Sequence, residues 1–222
     1  MANVLAIVSG KGGVGKTTVT ANIGIALAAM GKKVLLIDAD VGLRNLDIAL
    51  GMQNKIAYHF LDVINNHCDL SKAIVIDEKY SGLALLSAPQ FNSISDIDNN
   101  LFKKMINDAS GLYDYILIDC AAGIGKCFEM STSAADRIIV VAMPDVLSIR
   151  DADRVATKLE NQNIKNVFLV INKINIDMIK KGDMIDIDTI INRVAIRLIG
   201  AIPEDRRIAL SIGRGKPAVL LP

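Results

Sequence analysis

Residues 4–18 read VLAIVSGKGGVGKTT, and this one stretch decides the fold. Five apolar residues without polar alternation, Val4 to Val8, describe a strand buried on both faces. Gly10-Lys11-Gly12-Gly13-Val14-Gly15-Lys16-Thr17 then satisfies GxxxxGK[ST], the pattern of a phosphate-binding loop. Glycines there let backbone N–H groups turn inward with no side chain in the way. The helix expected to start near Lys16 aims its positive dipole end at the same place. In such a loop the lysine at position 16 reaches the β- and γ-phosphates, and the Thr17 hydroxyl ligates Mg²⁺. Thr18 is placed to hydrogen-bond the α-phosphate. The plain alternative is a glycine-rich strand–helix turn that holds no ligand. The preceding strand, the following helix and two acidic strand ends further on weigh against it.

Outward from this loop, short Val- and Ile-rich runs recur at 34–37, 83–86, 115–118, 138–142, 167–171 and 198–202. Helix-like stretches lie between them. Residues 17–30 place Ile23, Ala26, Leu27 and Met30 on one face and end at Gly31, a C-capping glycine. Residues 148–159 and 183–196 read similarly, with Ser148 and Asp183 as N-caps. The polar stretch DIDNN at 96–100 reads as a lead-in to a helix. Strand and helix alternate throughout, which predicts a doubly wound α/β fold: a mostly parallel sheet with helices on both faces. No linker, repeat or low-complexity tract divides residues 1–222, so one domain is expected.

Composition narrows the function classes. The 222 residues are 51% hydrophobic and 22% charged with a net charge of +1, which excludes a disordered or fibrous chain. The balance of 25 basic and 24 acidic residues offers no general polyanion surface, and no nucleic acid is expected as a partner. No apolar run approaches the roughly 20 residues of a membrane-spanning helix. The N-terminus lacks the basic region and cleavage site of a signal peptide. Cys68, Cys120 and Cys127 form no CxxC pair, which fits a reducing cytosol.

Two strand ends carry acids. KKVLLIDAD (32–40) finishes in Asp38-Ala39-Asp40, and alternation points both carboxylates to one side, where open α/β sheets bind ligands. Like charges converging there are costly unless a cation or water network uses them. YILID (115–119) is an apolar run ending in Asp119, whose carboxylate is placed to hold Mg²⁺ through water. Asn172 ends another strand, and its amide can read the N6/N7 edge of adenine. Asn175 stands where guanine-specific sites carry aspartate, so ATP is favoured over GTP. No nucleophile–base pair is apparent, which suits a reaction driven by positioning and charge neutralisation.

The segment KGGVGKT, with Lys11 directly after the first glycine, resembles the deviant Walker A motif of the MinD/ParA family of ATPases. The resemblance runs from Val4 to about Leu221. Its most specific parts are DADVGLRNLDIALG (38–51), SIRDADRV (148–155), KKGDM (180–184) and RLIGAIPED (197–205), which are similar to the septum-site-determining branch. The resemblance implies that Lys11 reaches across a nucleotide-sandwich homodimer to the partner's ATP, and that Asp40 orients or activates the attacking water. It implies that Asp38 supports the switch and joins Thr17 and Asp119 at the metal. In DCAAGI (119–124) it implies a switch II whose Gly123 offers its N–H to the γ-phosphate. Ala121 replaces the proline of many relatives, which alters the stiffness of that segment. Pro203, Glu204 and Asp205 would close over adenine. Arg44 and Asn45 would belong to switch I and, with Asp151 and Asp153, engage a MinC-like septation inhibitor and a MinE-like regulator. The implied activity is slow ATP hydrolysis by a dimer that binds membrane and partners and is released on cleavage.

Two other classes share parts of this pattern. A DNA-partition ATPase would need a basic face, yet Arg206-Arg207 and Lys180-Lys181 are only pairs. An iron–sulfur carrier would need two cysteines per chain at a dimer interface. Cys127 could supply one, no cysteine lies in 89–98, and Cys120 reads as a small buried residue. His59 and His67 lack ligand spacing. The family's usual C-terminal amphipathic helix is not read in the tail, because Gly213, Gly215 and Pro217 interrupt residues 208–222. Weak vesicle binding is therefore expected, with location in the cytoplasm and at the membrane's cytoplasmic face only where such a helix is present.

Overall fold

Runs of apolar residues with both faces to bury assemble into one eight-stranded sheet in the computed structural model, which describes residues 1–90, 97–213 and 218–220. The strands are β1 (Asn3–Val8), β2 (Val34–Asp38), β3 (Val75–Ile76), β4 (Leu83–Leu86), β5 (Tyr115–Asp119), β6 (Arg137–Ala142), β7 (Val167–Ile174) and β8 (Arg197–Pro203). Their order is β3-β4-β2-β5-β1-β6-β7-β8. Every pairing is parallel except that of β3 with β4. The expected doubly wound, mostly parallel architecture is what forms.

Helices cover both faces. They are α1 (Lys16–Ala29), α2 (Leu46–Leu50), α3 (Phe60–Ile64), α4 (Leu70–Ala73), α5 (Asn99–Ala109), α6 (Lys126–Ser133), α7 (Val146–Asn161), α8 (Ile176–Lys181), α9 (Ile187–Val194) and α10 (Arg206–Gly213). Successive strand residues feed two separate cores. Ala6 and Val8 join Phe60, Phe102, Phe128 and the inner face of α7, while Ile7 joins Val19, Ile25 and Leu36 under α1. Burial on both faces explains the missing polar alternation.

Several expectations are corrected. The buried face of α1 is Val19, Thr20, Ala21, Gly24, Ile25 and Ala28, and Met30 is 73% exposed. Small residues let this helix lie close on the sheet; a Cβ on Gly24 would sit 2.6 Å from a Leu36 methyl. The nearly continuous apolar sequence of α1 gives no periodicity from which to choose that face. Gly31, left-handed at φ +79°, ends the helix as expected.

Asp145, not Ser148, caps α7, its carboxylate accepting from the Ser148 N–H at 2.9 Å. The Ser148 hydroxyl accepts instead from the Met143 N–H. The stretch 183–196 yields α9 alone, capped by Asp186 and not Asp183, after a separate α8 capped by Asn175. Gly182 at φ +79° separates the two. Asp98 caps α5, so the end of the DIDNN stretch does lead into a helix; Asp96 lies outside the described residues. The two-residue edge strand β3 was too short to announce itself. In the tail, α10 runs to Gly213, while Gly215, Pro217 and residues 221–222 lie outside the described residues. Among the described residues, no helix is long and apolar enough to cross a membrane.

Candidate active site

The parallel sheet brings the C-terminal ends of β1, β2, β5, β7 and β8 to one edge, the side on which such sheets bind ligands. A cleft of about 820 Å³ opens there. Gly12, Gly13, Gly15, Lys16, Thr17 and Thr18 line it on one side, and Asp40 and Asn45 on another. Asn172, Pro203, Glu204 and Asp205 close its far end. A smaller adjoining cavity of about 260 Å³ shares Thr18, Asn172 and Asp205, and adds Ile202, Ala218 and Val219 as apolar walls suited to a base.

The loop between β1 and α1 is held in shape by its neighbours. The Ser9 hydroxyl donates to the Lys11 carbonyl at 2.7 Å. From β7, the Asn172 amide donates to the Val14 carbonyl at 2.8 Å and the Lys173 ammonium to the Gly13 carbonyl at 3.2 Å. The Asn172 Oδ1 accepts from the Lys173 N–H. Asn172 thus braces the phosphate loop in addition to facing the base cavity, a role its sequence position did not suggest. A Cβ at Gly15 would strike its amide, and Gly15 also sits at φ +97°. Gly10 is hemmed in by backbone: a Cβ there would lie 2.5 Å from the carbonyl oxygen of Asp151 on α7.

The acids divide their work. Asp119 is fully buried beside Lys16, and Thr20, which donates to it at 3.3 Å, joins Thr17 in supporting it. Burial pushes its carboxyl up to about 6 despite those hydroxyls and the Lys16 charge. Thr20 was not singled out from sequence; its only signal is its spacing, four residues after Lys16 on the same helix face. Asp38 pairs with Asp119 in the β2–β5 register and is pushed to about 8 by burial and by Asp119. Its two oxygens accept from the backbone N–H groups of Asp40 at 2.9 Å and Leu46 at 3.0 Å. Asp38, expected beside Thr17 and Asp119 at the metal, thus also ties down the loop that carries Asp40. Asp40 is half-buried at the cleft, with its carboxyl raised by burial and pulled back by Lys16.

A hydroxyl (Thr17), a carboxylate (Asp119) and phosphate oxygens are the donors Mg²⁺ takes. Burial raises the carboxyls of both Asp38 and Asp119, an environment that a cation would relieve. Among the described residues, no group of three or more His, Cys, Asp or Glu could hold a metal by protein ligands alone.

The other expected residues are placed as follows. Lys11 lies 41% exposed, 3.6 Å from the Asp145 carboxylate. The Gly123 N–H donates to the carbonyl of Ser9, the residue after β1, at 2.9 Å. Arg44 is half-buried, and its guanidinium pairs at 2.8 Å with Asp47, which is 1% exposed. Asn45 is exposed at the cleft. On α7, Asp151 packs on Gly10 and pairs with Arg154, and Asp153 is half-exposed. Cys127 donates to the Ala39 carbonyl, and Cys120 is buried with its thiol pushed up to about 12.

A family model described as the CobQ/CobB/MinD/ParA nucleotide binding domain matches residues 5–218. The chain belongs to this family. Among CobQ/CobB/MinD/ParA relatives it is 41% identical to the septum site-determining protein MinD of Synechocystis, covering 99% of this chain and 83% of that protein. It is 39% identical to MinD of Bacillus subtilis, covering 100% and 84%. Its structure superposes on MinD in the MinC:MinD cell division protein complex of Aquifex aeolicus with a TM-score of 0.92 at 46% identity, covering 99% and 88%. MinD of Pyrococcus horikoshii complexed with Mg-ADP gives 0.87 at 30% identity, covering 98% and 88%.

Proposed function

We propose that this chain is an ATP-hydrolysing switch of cell-division site placement. Mg-ATP joins two copies, the dimer recruits a MinC-like septation inhibitor and a MinE-like or other regulator, and hydrolysis releases it. The observation that carries this reading is the separation of the two loop lysines. Lys16 is buried between Asp40 and Asp119, where its own nucleotide must lie, while Lys11 stands outside that pocket on an exposed ion pair it can leave.

In this mechanism the loop amides and Lys16 bind the phosphates, with Thr18 at the α-phosphate. Mg²⁺, when bound by Thr17 and Asp119, supplies charge neutralisation on the phosphate oxygens. Asp40 orients the attacking water and receives its proton, helped by a carboxyl already raised by burial. Lys11 of the second copy adds positive charge where it develops on the γ-phosphate. Gly123 leaves Ser9 to donate to that phosphate, and loses the contact on cleavage. The base sits against Ile202, Ala218 and Val219, bounded by Asn172 and the 203–205 turn.

Phosphate release measured with Mg-ATP, alone and with duplex DNA, tests the reading. Slow turnover unchanged by DNA is expected. Turnover stimulated by DNA would move the chain to the partition class.

A further inference from the structure

Lys158 lies in the last turn of α7, one helix away from the nucleotide cleft, yet its ammonium contacts the switch II region in three ways. It donates to the Ile124 carbonyl at 2.8 Å and pairs with Glu129 Oε1 at 2.9 Å. It also stands 5.5 Å from the centre of the buried Phe128 ring. Its own side chain is 26% exposed. Ile124 directly follows Gly123, whose N–H is bonded to Ser9. The segment is thus pinned on two sides, to Ser9 just after β1 through Gly123 and to α7 through Ile124. If Gly123 is to meet a γ-phosphate it must give up Ser9, and its neighbour's carbonyl must shift against Lys158. The same helix touches the phosphate loop at Asp145, paired with Lys11, and at Asp151, packed on Gly10.

We propose that Lys158 is a positioning residue that holds switch II in its γ-phosphate-free arrangement, and so sets how strongly ATP is favoured over ADP. The inference rests on the reading of Gly123 as the γ-phosphate donor. ADP has no group that reaches Gly123, so a latch on switch II acts on ATP binding and leaves ADP binding alone. A ligand shifts such an equilibrium only by its differential affinity for the two arrangements. A charge-assisted bond to a carbonyl, with a partly solvated carboxylate beside it, suffices for a shift of about three- to tenfold.

The test uses Lys158→Met, which keeps the stem over Phe128 but removes charge and donors, and Lys158→Arg, which can still reach both oxygens. Affinities for a non-hydrolysed ATP analogue and for ADP are measured at low protein concentration. Hydrogen exchange over 120–126 is followed in each state. In Lys158→Met the analogue should bind about three- to tenfold tighter with ADP affinity unchanged, and exchange at Gly123 in the ADP state should rise by a similar factor. Lys158→Arg should restore the wild-type ratio. Equal shifts for both nucleotides, or an unchanged ratio in a folded variant, would overturn the latch. If Lys158→Met does not fold, Glu129→Gln serves in its place and should move the ratio in the same direction by a smaller factor; an unchanged ratio there sinks the latch. Wild-type exchange that is identical with analogue and ADP would remove the Gly123 reading and the latch together. A wild-type difference that both variants leave untouched would remove the latch alone.

Discussion

The Lys11 ammonium lies 3.6 Å from the carboxylate of Asp145, the residue that caps α7. On the proposed reading, in which Lys11 serves a second copy's nucleotide, this pair parks it on its own chain until that copy arrives. Both side chains are about 40% exposed, so the pair contributes no more than about 1 kcal/mol and can be broken readily. Lys11→Ala should leave nucleotide binding by the single chain nearly intact while abolishing ATP-dependent self-association. Asp145→Asn, which keeps the cap oxygen but not the charge, should ease association by about two- to fivefold in ATP concentration. Light scattering during an ATP titration reads both. A Lys11→Ala chain that still associates would remove its role across the dimer.

Asp40 is the carboxylate at the cleft whose backbone is fixed by Asp38. Asp40→Ala should slow hydrolysis by about 10²-fold or more, since the role proposed for it is exercised mainly in the transition state. ATP affinity should change less than threefold, and the ATP-bound assembly should persist longer. Single-turnover phosphate release checks this, and turnover near wild type would exclude Asp40 as the water-orienting group.

Gly10 is required by contact and not by its backbone angle. The atoms a new Cβ would meet are the carbonyl oxygen and Cβ of Asp151, at 2.5 and 2.7 Å, so α7 or the loop must move. Gly10→Ala should cost about 1–3 kcal/mol of stability and lower nucleotide affinity at least tenfold. Thermal unfolding and equilibrium nucleotide binding decide it. By contrast, Gly12→Ala meets open space and should be nearly neutral for folding.

Much of this was legible in the sequence because it is local. The loop pattern, the acidic strand ends and the buried strands each lie within a few residues, and their spacing fixes their geometry. What escaped depends on contacts between distant segments. Asn172 reads as a base-facing amide, and only its approach to Val14, 158 residues away, makes it a brace of the loop. Asp38 reads as one of a pair of like acids, until the backbone of 40–46 curls over it and takes up its oxygens. Arg44 reads as a switch I residue, and nothing in the sequence announces its pairing with the buried Asp47. The caps at Asp145 and Asp186 each lie three residues from the expected ones, since Asp145 and Ser148, and Asp183 and Asp186, are all capable caps and only the backbone chooses between them.

The buried acid pair makes stability depend on pH in a defined direction. Asp38 rises from 3.8 to about 8 and Asp119 from 3.8 to about 6 on folding. Groups whose folded value lies above the unfolded one favour the native state fully at low pH and lose that contribution as pH rises. Ligand-free protein should therefore lose stability steadily between about pH 4 and pH 8 from this source. Mg-ADP should flatten that slope, because the cation favours the ionised carboxylate. Chemical denaturation at pH 6 and pH 8, with and without Mg-ADP, checks the sign. Greater stability of the ligand-free chain at pH 8 would contradict it.

The central claim is that the γ-phosphate changes the state of the molecule. The most direct measurement is the molar mass in solution of the slowly hydrolysing Asp40→Ala chain, by light scattering on a sizing column, in Mg-ATP and in Mg-ADP. A mass near twice 23.9 kDa with ATP and near 23.9 kDa with ADP is the predicted result. The same mass with both nucleotides would contradict the account.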